Sequence, residues 1–79
     1  MARYFFDMKN GDRPSLDEEG GEFATLKDVE SEVIKTLADI AHDARSASDI
    51  ASIGIVVRNE AGQTVLIMSL KLDIVRPKP

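Results

Sequence analysis

Ile53-Gly54-Ile55-Val56-Val57-Arg58, then Asn59-Glu60-Ala61-Gly62, then Gln63-Thr64-Val65-Leu66-Ile67-Met68-Ser69-Leu70 is the stretch that decides the fold. Two β-branched runs flank a short turn sequence, the pattern of an antiparallel hairpin. Asn59 at the first turn position and Gly62 at the fourth suit a type I turn followed by a left-handed residue. With Glu60 to Gly62 in the turn, Asn59 faces Gln63, Val57 faces Val65 and Ile55 faces Ile67. One face of the hairpin then carries Ile53, Ile55, Val57, Val65 and Ile67. The other carries Val56, Leu66, Met68 and Leu70, with Arg58 and Thr64 near the turn. A sheet with one solvated face alternates apolar with polar residues. This register leaves both faces apolar.

Upstream of the hairpin, apolar residues fall at 26, 29, 33, 37, 40 and 44, flanked by Ile34 and Ala41. That helical period predicts one amphipathic helix from about Leu26 to Ser46. Thr25 is the expected N-cap, with Asp28 three residues on in a capping-box-like pair. The polar face carries Lys27, Glu30, Glu32, Lys35, Asp39, His42, Asp43 and Arg45. At the start of the chain, Ala2 to Met8 reads as a strand running into the turn Asn10-Gly11-Asp12. Tyr4, Phe6 and Met8 lie on one side of it and Phe5 on the other. A short return strand is expected near Pro14-Ser15-Leu16, confined by the proline to an edge. Asp17-Glu18-Glu19-Gly20-Gly21-Glu22 reads as a solvated acidic loop. The prolines of Arg76-Pro77-Lys78-Pro79 oppose further regular structure.

The expected architecture is α+β: a two-layer sandwich with one amphipathic helix on a three- or four-stranded, mostly antiparallel sheet, in the order β(β)αββ. Residues 1–72 form the domain and 73–79 a tail. One helix covers one sheet face. A second apolar face needs the tail, a copy of the chain or another partner, because monomers seldom expose a large apolar patch. Phe5, Val56, Leu66, Met68 and Leu70 are the candidate interface residues, and a homodimer or a complex with another protein partner is the expected state.

Composition excludes much else. The chain has 79 residues, no cysteine, one histidine and a net charge of −4. Disulfides, thiolate metal sites and His-rich metal sites are ruled out. The acidic balance opposes nucleic-acid binding, which needs clustered Lys and Arg. No stretch reaches the roughly 20 apolar residues that span a bilayer, and no signal-peptide run opens the chain, so the expected location is the cytoplasm.

No catalytic constellation is found, and neither a cofactor nor a metal is expected. His42, Asp39 and Ser46 share one helix face but lack the pocket and oxyanion donors of acyl transfer. His42 is read as a surface residue. The acidic loop lacks the spacing of a calcium-binding loop, and Gly20-Gly21 lacks that of a phosphate-cradling one. Tyr4, Phe5 and Phe6 on a strand are read as core or interface residues rather than a base-stacking platform.

Arg3-Tyr4-Phe5-Phe6, Asn10-Gly11, Asp17-Glu18-Glu19-Gly20 with Glu22, and the leucine-led helix together resemble a family of short bacterial proteins. It is catalogued as a domain of unknown function and is common in rhizobia and related soil bacteria. The resemblance covers roughly residues 3 to 70. The chain has Asp7 where the family often has His, and Thr25 where an Asp commonly caps the helix. The resemblance implies no activity. A second likeness, of layout alone, is to the antitoxin half of a bacterial toxin–antitoxin pair. The expected function is a small non-catalytic protein-interaction or regulatory module; the alternative is a toxin-neutralising or small-ligand-binding domain.

Overall fold

The computed structural model describes residues 1–44, 52–72 and 75–78. Its elements are β1 (Ala2–Asn10), β2 (Arg13–Ser15), β3 (Gly21–Phe23), α1 (Leu26–Asp43), β4 (Ser52–Arg58) and β5 (Thr64–Lys71). All pairings are antiparallel, in the order β2-β1-β4-β5, with β3 also on β1. The fold is the α+β two-layer arrangement, but the sheet has five strands rather than three or four. The extra strand is β3, drawn from the segment read as a solvated loop. Three residues beginning with Gly21 carry little strand signal of their own. They extend because β1 offers Ala2, Arg3 and Tyr4 as a template for Phe23, Glu22 and Gly21.

The helix begins where its cap dictates: the Thr25 hydroxyl accepts the Asp28 N–H at 3.1 Å. Such a cap contributes about 1 kcal/mol. It ends at Asp43, since Ala44 is already extended; the remainder of the expected helix, residues 45–46, lies outside the described residues. Val29, Val33 and Leu37, spaced by four, meet Ile53, Ile55 and Val57 of β4 to form the buried core. Each such side chain contributes roughly 1.5–3 kcal/mol by leaving water.

The turn between β4 and β5 forms as its residues dictate. The Gly62 N–H donates to the Asn59 carbonyl at 3.0 Å, and Gly62 takes φ +81°. The Asn59 side chain accepts the Ala61 and Gln63 N–H groups. Beyond the turn, the expected register is wrong by one residue. Arg58 pairs with Thr64 but Val57 pairs with Leu66, so a bulge leaves Val65 as the extra residue. Ile55 then faces Met68, not Ile67, and Ile53 faces Leu70.

The slip matters because strand side chains alternate, and one residue moves a whole set to the other face. Leu66, Met68 and Leu70 join Phe6, Met8, Ile53, Ile55 and Val57 against the helix. The far face receives Asp7, Lys9, Gly54, Arg58, Ser69 and Lys71 instead. Its apolar remainder is Phe5, Val56 and Ile67. The expected second apolar face is therefore mostly polar, and the five candidate interface residues do not share a face. Nor does the described part of the tail cover it: Leu72 is exposed and Val75 is 85% exposed.

Candidate functional site

Where an interaction could occur depends on how the sheet ends. The β1 edge is closed in an unusual way. Strands β2 and β3 pair with opposite ends of β1, and residues 16–20 loop out between them. The gap opposite Phe6 is filled by a side chain: Asp17 Oδ2 accepts the Phe6 N–H at 3.1 Å. Asp17 Oδ1 accepts the N–H groups of Glu19 and Gly20 at 3.2 and 3.1 Å. One carboxylate thus replaces a strand partner and closes its own loop.

Gly20 completes the crossing. It sits at φ +71°, and a Cβ there would lie 2.7 Å from the Tyr4 carbonyl oxygen and 3.0 Å from the Phe5 ring. Both backbone conformation and space require glycine.

On the far face, Asp7, Arg58 and Asp17 form a clasp. Arg58 donates through Nε to Asp7 Oδ2 and through Nη2 to Asp7 Oδ1, the latter at 3.0 Å. Nη2 also donates to the Asp17 carbonyl at 3.2 Å, and the Asp17 N–H donates to Asp7 Oδ1 at 3.0 Å. The guanidinium lies 5.1 Å from the Phe5 ring centre. Its hydrogen bonds hold the Asp7 carboxyl below the ordinary value, and Asp7 in turn raises Arg58. Asp17 is also lowered, first by the Phe6 N–H and then by that of Gly20. The acidic segment is consequently a structural crosslink at Asp17, not a solvated loop throughout. Glu18, Glu19 and Glu22 remain exposed.

The opposite edge is β5. The Gly11 N–H donates to the Ser52 carbonyl at 3.0 Å, which sets the phase of the ladder. In that phase Ile53, Ile55 and Val57 turn their backbone groups toward β5, and Leu70, Met68 and Leu66 turn theirs back. The N–H and C=O groups of Ile67, Ser69 and Lys71 consequently point out of the sheet, and no strand among the described residues pairs with them. Beside this edge, a 310 Å³ cleft opens between β5 and α1, lined by Ile34, Leu37, Ala38, Ala41, Met68 and Leu70. Ile34 is 53% exposed and Ile67 69%.

A second 310 Å³ cavity lies on the other flank of the helix. Phe6, Met8, Phe23 and Ile55 wall it, and Asp17, Glu32 and Thr36 border it.

Of the five expected interface residues, Met68 and Leu70 line the β5 cleft. Leu66 is half-buried on the same side, while Phe5 and Val56 lie on the far face. The structure does not bring these two sets together. His42 and Asp39 are exposed on α1, and Ser46 lies outside the described residues. Among the described residues no group of three or more His, Cys, Asp or Glu is arranged to hold a metal ion, and no helix is long and apolar enough to cross a membrane.

No curated protein matches the chain, and no solved structure does. Residues 3–71, from the second residue of β1 to the last of β5, match a family described as Domain of unknown function (DUF6894), and the chain belongs to that family.

Proposed function

We propose that the chain is a small non-catalytic protein-interaction module acting as a homodimer, in which β5 of a second copy adds antiparallel to β5 of the first. The observation that carries this reading is the eight-residue β5 edge, beside an apolar cleft and without a strand partner among the described residues. Proteins that stay monomeric blunt such edges with prolines, inward charges or very short strands. Between Thr64 and Leu70, β5 has neither a proline nor a charge; its single charge is the terminal Lys71, and its one irregularity is the bulge at Val65.

A second copy suits this edge better than an unrelated chain for two reasons. An antiparallel edge is complementary to itself under a two-fold rotation, so one sequence supplies both halves. The chain carries a net charge of −4, yet none of the residues lining the cleft is ionisable, so two copies meet there without opposing like charges. Covering Ile34, Met68 and Leu70 would add to a core that is small for want of length. The bacterial, cytoplasmic setting that goes with this reading rests on the family resemblance and the cysteine-free composition.

Light scattering behind size-exclusion chromatography tests it across a hundredfold concentration range. The native chain is expected at twice its chain mass. Ser69→Pro removes an outward N–H without touching a β4 pairing, and Ile67→Lys adds a charge beside the edge. Both are expected to run at the chain mass with unchanged far-UV circular dichroism. A native chain that remains single at the highest concentration overturns the proposal.

A further inference from the structure

We propose that the cavity between α1 and the β1–β3 edge binds a small organic cation with an apolar body, an alkylammonium or quaternary ammonium compound. The inference is independent of the dimer, because the cavity lies on the opposite flank of the helix from the β5 cleft.

The volume, 310 Å³, is at the lower end of the range of small-molecule sites. The walls are Phe6, Phe23, Met8 and Ile55, with the two phenyl rings edge to face at 5.5 Å between centres. Phenyl rings and a thioether suit the apolar body of a soft organic cation better than a hydrated metal ion.

The two charged residues that line the cavity, Asp17 and Glu32, are both acidic. None of the lining residues is basic. Asp17 stays ionised because its oxygens accept three backbone N–H groups. Asp7 and Asp17 against the single Arg58 leave a net negative charge behind the wall, and Arg58 is bound to Asp7 on the far side of the sheet.

Glu32 supplies the contact. It is half-buried at the border of the cavity, and among the described residues its carboxylate has neither a hydrogen-bond donor nor an ion pair. Thr36 one turn on donates its hydroxyl to the Glu32 carbonyl, so it does not satisfy the carboxylate. Lys35 shares with Glu32 a shallower 260 Å³ hollow lined also by Asp28, outside this cavity. An ammonium group at Glu32 with its carbon chain laid against the wall of Phe6, Phe23 and Met8 would use the free carboxylate and the apolar wall together.

Butylammonium and n-butanol differ little in shape but carry different charge, which makes them the probes. Heteronuclear NMR titration of the full chain with butylammonium chloride is expected to give saturable shifts centred on Phe6, Phe23, Thr36 and Ile55 at millimolar concentration. Glu32→Gln is expected to weaken binding by about tenfold, the loss of one charge-assisted contact. Phe23→Leu, which keeps the wall apolar, should weaken it less. Equal binding of n-butanol, unchanged affinity in a folded Glu32→Gln variant, or no shifts at tens of millimolar each overturns the assignment.

Discussion

Along the β1 edge the return strand is cut in two, and a carboxylate stands where the backbone partner is missing; along β5 the strand is continuous and no side chain among the described residues bonds to its outward backbone groups. Both edges begin from the same difficulty, a row of N–H and C=O groups that need partners. The first is sealed internally by Asp17, with Pro14 in β2 and the Gly20 crossing limiting further pairing. The second keeps outward N–H and C=O groups that no strand among the described residues pairs with. The contrast teaches that this sheet is directional: one side is committed to the chain's own fold, and the other, among the described residues, has no strand partner, which is what the proposed dimer would use.

The largest expected effect comes from unsealing the closed edge. Asp17→Ala leaves the Phe6, Glu19 and Gly20 N–H groups without their acceptor, at least two of them half-buried, and should destabilise the fold by about 2–3 kcal/mol. Urea denaturation followed by circular dichroism measures it; a loss under about 0.5 kcal/mol would mean that water replaces the carboxylate at no cost.

Acid should act on the same edge. Asp7 and Asp17 are both held below the ordinary value of 3.8, so the folded state favours their ionised forms. Their contribution is complete above that value and is lost as pH falls through the lower folded values. The urea midpoint should be flat from pH 7 to pH 5 and fall below about pH 4. Asp7→Asn should flatten part of that fall, because one of the two titrating groups is gone.

The smallest effect is expected at the open edge. Ile67 is 69% exposed, so Ile67→Thr should change unfolding stability by no more than about 0.5 kcal/mol when measured at low concentration, where association is weak. The same substitution at high concentration should reduce the apparent stability of the native assembly. Equal small effects at both concentrations would show that β5 gains nothing from a partner.

How much of this was readable in the residues follows from the range of each interaction. Thr25 and Asp28 announced the helix start because a cap is a contact within four residues. Asn59 and Gly62 announced the turn for the same reason. The register beyond that turn was not readable, since Thr64, Val65 and Leu66 are all compatible with either face. The bulge at Val65 is selected by the helix, against which Leu66, Met68 and Leu70 pack.

The β5 edge was foreshadowed only by the lack of charge between Thr64 and Leu70. The second cavity had no warning at all, because Phe6, Phe23 and Glu32 are distant in sequence. Asp17 was equally concealed: in the sequence it is one acid among several, and its distinction is a position opposite Phe6.

The sequence by itself determined the class of the fold, the place and cap of the helix, the hairpin turn and the alternation of β1. Those follow from periodicity and from hydrogen bonds between near neighbours. Only the tertiary structure decided which residues face the helix, that Gly21–Phe23 is a strand, and which edge is closed. Each of those is settled by groups far apart in the chain competing for the same buried surface or backbone partner, and local pattern carries no record of that competition.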